Sequence, residues 1–273
     1  MLVATTHAAG PTTLTSPLLT RAGFAHAFST RLGGVSPAPF DSLNLQSTQA
    51  NARIAATDPR DTESNILENH ARFATAAGLA AGTRLVDICQ VHSATVVTAA
   101  DAALHRTAAD ALTSPRGGHA ILIRIADCVP ILLACPRTGA VAAVHAGWRG
   151  VVAGIAPATV AALRTLGVDP RDCLAAVGPC ISAPHFEIGP EVADALVAAD
   201  LAECVAAPGR HGPKHHADLV LAVRLQLERA GLATSNIDAE PPCTYAHPAR
   251  FHSYRRDGAD SGRLAAIIAP RSA

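Results

Sequence analysis

The sequence predicts a single mixed α/β (α+β) domain, and three observations carry that reading. Of its 273 residues 49% are apolar and only 16% charged, which supplies a sizeable core and excludes disorder for most of the chain. Strand-like apolar runs and helical periods follow one another without strict alternation. No Pro/Ser-rich linker or compositional shift separates two halves, so residues 21–273 read as one domain preceded by an arm or edge element over residues 1–20.

The elements follow in order. Residues 24–30 alternate apolar and small side chains as a strand does, until Gly33, Gly34 and Pro37 break the pattern. Residues 51–59 read as a polar loop, and Asp61 as the N-cap of a helix whose apolar face carries Ile66, Phe73, Ala74 and Ala77 and which ends before Gly78. Strands are expected at 85–88, 94–98, 121–125, 131–134 and 140–144, several of them apolar throughout and therefore covered on both faces. Helical periods return over 151–166, where Pro157 should kink or restart the helix. Pro190 suits the first turn of a further helix, and Leu219, Val223 and Leu227 form another between an Asp218 cap and Gly231. Strands at 237–240 and 264–268 close the chain.

Charge and motif content exclude several functions. The 22 Lys and Arg balance 22 Asp and Glu, so no bulk field attracts nucleic acid and no basic face suits a membrane. The most apolar stretch, 120–135, contains Arg124 and Asp127 and falls short of the ~20 residues that span a bilayer. Seven cysteines, none in a C-x-x-C pair, and no secretory leader pattern indicate a cytoplasmic protein with reduced thiols. The Walker, dinucleotide, serine-elbow and H-E-x-x-H signatures are missing, and no H-x-H pair suggests a polyhistidine copper cluster.

What remains is a dispersed set: His92 after Gln90 and Val91, Cys128 within Ala-Asp-Cys-Val-Pro, and His145 ahead of Ala146, Gly147, Trp148, Arg149 and Gly150. His, Cys and His are zinc donors, and three protein ligands leave the open position of a catalytic site, although their spacing matches no local zinc-finger pattern. Two other readings use the same residues: hydrogen-bonded core histidines with a buried small thiol, or a Cys128 nucleophile with His145 as its base. Small residues and Arg149 at a helix start suit an anion such as phosphate. Ser29, Arg31 and Asn44, in a Gly/Pro-rich loop, are candidate ribose or phosphate contacts. Cys180 and Cys243 read as structural thiols, His215 and His216 as an exposed turn, residues 254–258 as a polar turn, and Asp127 with the carboxylates of 187–191 as candidate proton donors.

The blocks FSTRLGGVSPAPFDSLNL (28–45), CQVHSATVV (89–97), ADCVPILLA (126–134), VHAGWRGVVAGI (144–155), VGPCISAPHFEIGPEV (177–192), KHHADL (214–219) and CTYAHPARFHSYRRDGADSGRLAAII (243–268) resemble the YfiH family. That family has been described as polyphenol oxidase or laccase-domain proteins, as purine nucleoside phosphorylases and as the peptidoglycan editing factor. The resemblance covers nearly the whole chain. It implies a four-layer α/β/β/α sandwich related to the cysteine-hydrolase-like toxin deamidases, and one catalytic domain over 21–273. It implies a catalytic zinc ion, with copper as the alternative, held by His92, Cys128 and His145. The implied activity is phosphorolysis of adenosine, inosine, guanosine and methylthioadenosine, with adenosine deamination. The alternatives are a hydrolase editing UDP-muramoyl precursors that carry serine, or a laccase-like oxidase. The implied partners are a purine nucleoside and phosphate, with no nucleic acid or membrane, and the chain is expected as a monomer. Three segments depart from the family pattern: Phe251-His252 replaces an aromatic pair, ADSGR stands where TGR is commoner, and 46–58 lacks the usual Gly-Asp-Asp character.

Overall fold

Two strands buried along their whole length and joined by three residues set the architecture, because such strands need cover on both faces. In the computed structural model, which describes residues 1–8, 10–48, 60–80, 82–99 and 107–272, the strands in chain order are β1 Val3–Thr6, β2 Thr12–Thr15, β3 His26–Ser29, β4 Leu85–Val86, β5 Val96–Thr98, β6 Ala111–Ser114, β7 Ala120–Ile125 and β8 Val129–Ala134. They continue with β9 Val141–Ala146, β10 Leu174–Val177, β11 Glu187–Ile188, β12 Val205–Ala206, β13 His215–Ala217, β14 Ile237–Asp238 and β15 Leu264–Ile268. The helices are α1 Pro17–Arg21, α2 Glu63–Ala76, α3 Trp148–Val152, α4 Ile155–Thr165, α5 Pro190–Ala198, α6 Leu219–Arg229 and α7 Tyr254–Asp257.

One sheet runs β1-β2-β3-β15-β7-β4 and a second β14-β10-β8-β9-β6-β5, with a small third sheet β11-β13-β12. Side-chain alternation shows how they stack. On β7, Ile121, Ile123 and Ile125 meet Leu132, Ala134, Val141 and Ala143 between the two large sheets, while Leu122 turns the other way onto Phe73 of α2. On β8, Ile131 and Leu133 turn outward onto Val160 and Leu163 of α4 and Val223 and Leu227 of α6. The layers are therefore helix, sheet, sheet, helix, in agreement with the sandwich expected from the resemblance. The link 126–128 crosses from one sheet to the other, and the candidate site lies at that corner.

Residues 1–20 provide the outer strands of the first sheet, β1 pairing with β2 and β2 with β3. The predicted helices recur with two adjustments. Thr62 rather than Asp61 caps α2, its side chain accepting from Asn65 N, while Asp61 accepts from Thr62 N. The helical stretch at 151–166 is divided into α3 and α4 at Gly154, whose φ of 79° is left-handed, and Pro157 lies in the first turn of α4, where its missing N–H costs no helical bond. His215 and His216 lie in β13 rather than an exposed turn, with His216 buried. Residues 254–257 form the short helix α7 rather than a turn. The polar loop expected over 51–59 lies outside the described residues. Among the described residues no helix is long and apolar enough to cross a membrane.

Candidate metal centre

The hairpin-like pairing of β8 and β9 brings two of the three candidate ligands together. Val129 lies opposite Ala146 and Pro130 opposite His145, so the next step along each strand sets Cys128 beside Gly147. A Cβ at Gly147 would lie 2.7 Å from His92 Cδ2 and 3.1 Å from Cys128 Sγ, so the absence of a side chain there lets the third ligand close in. His92 comes from the loop between β4 and β5 and adopts a left-handed φ of 61°, uncommon for a residue with a Cβ.

Asp110, immediately before β6 and 0% exposed, maintains that conformation. Its carboxylate accepts the backbone N–H groups of Val91, His92 and Ser93 and the Ser93 hydroxyl. It also accepts Nδ1–H of His145 at 2.8 Å, which fixes the imidazole tautomer and leaves Nε2 as the ligating atom. One buried carboxylate therefore places both histidines. The sequence reading missed it. The available signal was a lone carboxylate among Ala108, Ala109, Ala111 and Leu112, because a charge in an apolar run is buried only with partners.

The ligand atoms of His92, Cys128 and His145 all lie within 4.8 Å of one another, with Cys128 Sγ 3.7 Å from His92 Nε2 and the imidazole rings edge-to-face at 4.8 Å. Burial raises the Cys128 thiol, but His145 and then His92 outweigh it and bring it to about 6. For His145 burial favours the neutral ring, and the Cys128 thiolate and Asp110 reverse that, so its pKa is raised. Burial likewise raises the Asp110 carboxyl, yet hydrogen bonds from His145 and Ser93 bring it down to about 2. A thiolate, two imidazole nitrogens and a carboxylate behind one of them make a donor set suited to a tetrahedral cation with one position open.

The other candidates are not brought to this cluster equally. Ser29 Oγ accepts from Ala265 N inside the first sheet, and Asn44 donates to Asp61 while its Oδ1 accepts from Arg263 N and Gln46 N. Both residues are 1% exposed, and these hydrogen bonds hold the loop. Arg31 is spent on Asp41 and the Pro248 carbonyl. Arg149 is exposed, its guanidinium 4.3 Å above the Trp148 ring, on a helix of only five residues. Asp127 commits both carboxylate oxygens, one to Thr244 Oγ1 and one to Arg255 N, and so anchors the corner that carries Cys128. In the 187–191 segment Glu187 pairs with Lys214.

A family model described as multi-copper polyphenol oxidoreductase laccase matches residues 25–271. A purine nucleoside phosphorylase of Deinococcus radiodurans is 39% identical over 254 residues, 92% of each chain. The purine nucleoside phosphorylase YfiH of Escherichia coli is 37% identical over 247 residues, 90% of this chain and 93% of that one. The chain belongs to the YfiH family. Among solved structures, this YfiH-family fold superposes on YlmD of Geobacillus stearothermophilus with a TM-score of 0.82 at 29% identity over 100% of both chains. On YfiH of Bacillus licheniformis it does so with a TM-score of 0.81 at 25% identity, covering 98% of this chain and 99% of that one. The family-model match thus includes every residue of the candidate centre.

Proposed function

We propose that this chain is a zinc-dependent purine nucleoside phosphorylase that also deaminates adenosine. The observation that carries the reading is the convergence of His92, Cys128 and His145 behind the Asp110 hydrogen bond, in a chain whose relatives are named purine nucleoside phosphorylases. Zinc, when bound by these three side chains, supplies a Lewis acid beside the reacting centre. The chain's own contributions are positional. Asp110 holds the His145 tautomer, Gly147 leaves room for His92, and Asp127 fixes the Cys128 backbone through Thr244 and Arg255. In phosphorolysis, phosphate attacks C1′ and the purine leaves with the bonding pair, so both reactants must be held in line at this corner. Deamination replaces the C6 amine by a water oxygen and needs no phosphate.

The order Asp110, His145, Cys128 also matches that of an orienting carboxylate, a base and a nucleophile, and this favours a second reading as a metal-free cysteine hydrolase, such as one acting on UDP-muramoyl precursors. Metal-analysed protein incubated with adenosine, with and without phosphate and with and without chelator, decides between them. Phosphate-dependent adenine and phosphate-independent inosine, both lost on chelation, are the expected products. Neither product from zinc-loaded protein would overturn the nucleoside reading, and chelator-resistant hydrolysis of a UDP-muramoyl substrate would support the hydrolase.

A further inference from the structure

The corner that carries Cys128 has beside it a cation with one edge that, among the described residues, no hydrogen bond or ion pair occupies. Leu264 lies opposite Ile125 in the antiparallel pairing of β15 with β7, so the preceding residue, Arg263, flanks the chain where it leaves β7 towards Asp127 and Cys128. Its backbone is pinned on both sides, Arg263 N donating to Asn44 Oδ1 at 2.9 Å and Arg263 O accepting from Leu45 N at 2.9 Å. The guanidinium is steered from one end only, since Nη1 donates to Ser261 O and Gly262 O. The Tyr254 ring lies 5.6 Å from Cζ. Among the described residues, Nε and Nη2 have no acceptor, and no carboxylate forms an ion pair with Arg263.

The neighbouring arginines differ. Arg31 is bound to Asp41 and Pro248 O, and Arg256 to Asp257 and three backbone carbonyls. Arg263 is half-buried, and burial disfavours its charge, with only Tyr254, Cys128 and Asp127 acting at a distance to favour it. A half-buried guanidinium with a free edge and no contacting anion is suited to an oxyanion, which forms two parallel charge-assisted hydrogen bonds with that edge. The Asp127 carboxylate does not compete, because Thr244 and Arg255 already occupy its oxygens.

We propose that the Nε/Nη2 edge of Arg263 is the binding contact for inorganic phosphate, placing the oxyanion beside the Cys128 corner, and that Arg149 at the start of α3 is not that contact. The proposal rests on the phosphorylase reading for its ligand, and its test separates the two. Equilibrium dialysis of zinc-loaded protein against labelled inorganic phosphate reads the site without turnover, and adenosine kinetics read its role. Arg263→Gln should weaken phosphate binding and raise the phosphate KM by roughly tenfold or more, with the adenosine KM within about twofold and zinc content intact. Arg263→Lys, which keeps the charge but not the fork, should lie between. If Arg263→Gln does not fold, the loss of phosphate affinity in Arg263→Lys carries the test. No saturable phosphate binding by the wild type, or unchanged binding in both variants, overturns the proposal. So does a phosphate defect confined to Arg149→Gln. If the wild type binds phosphate through Arg263 but forms no adenine, the anion site stands and the phosphorylase reading fails.

Discussion

The carboxylate of Asp110 receives Nδ1–H of His145 at 2.8 Å while gathering the backbone N–H of His92 at 2.9 Å, so a ligand from strand β9 and one from the β4–β5 loop share one buried anchor. A charge that is 0% exposed is tolerated because five donors surround it.

Asp110→Asn is therefore expected to loosen the metal centre without touching a ligand. The amide turns one acceptor into a donor, which then faces N–H groups it cannot satisfy. Zinc affinity, measured by chelator competition, should fall about 10–100-fold, and the Tm should drop. Wild-type affinity in this variant would show that His145 needs no orienting partner.

Gly147→Ala tests packing rather than charge. The new methyl would sit 2.7 Å from His92 Cδ2 and 3.1 Å from Cys128 Sγ, and the more exposed of the two, His92, is the one able to move. Zinc should bind more weakly through the two remaining ligands, while the Tm of zinc-free protein changes little. A Tm loss in zinc-free protein equal to that of the loaded form would place the effect in the fold instead.

The fold class and the long central strands were legible because the runs over 121–125, apolar but for Arg124, and 131–134 leave no solvent face, and α5 and α6 because Pro190 and Asp218 mark their starts. The strands the sequence hid are short or polar. The exposed β1 (VATT) pairs, among the described residues, only with the neighbouring β2, and the short β6 (ALTS) and β10 (LAAV) owe their state to ladder partners distant in the chain. His92, Cys128 and His145 were visible as residue types, but their convergence depends on the β8/β9 register and on Asp110, neither of which leaves a local motif. For Ser29 and Asn44 the sequence does not separate two roles, because a polar residue in a Gly/Pro loop looks the same whether it faces a ligand or ties the loop down.

Asn44→Ala distinguishes those two roles. Asn44 bridges Asp61 and the backbone N–H groups of Arg263 and Gln46, and truncation leaves buried groups unpaired. A stability loss of about 1–3 kcal/mol is expected in urea unfolding. A variant with native stability and a raised adenosine KM would favour the ribose contact.

His252 gives the chain an acid sensitivity that can be isolated. The imidazole is 1% exposed, its Nε2 has no partner, and it lies against Gly262. Burial first, then Arg31, Arg263 and Arg256, push its pKa from 6.5 down to about 3. Between those values the unfolded chain binds the proton and the folded chain does not, so the stability contribution is complete above 6.5 and is lost as pH falls through the window. His70, lowered to about 4 mainly by burial, and His26 add slopes of the same sign, whereas Asp110 acts only below its ordinary 3.8. His252→Phe removes one of these protons. In urea titrations from pH 4.5 to 6.5, with chelator present in both proteins so that metal release does not contribute, the variant's stability should vary less steeply by up to about 1.4 kcal/mol per pH unit. This holds whatever the absolute cost of the larger ring beside Gly262. Parallel stability curves for the two proteins would mean that His252 protonates in the folded state as readily as in the unfolded chain.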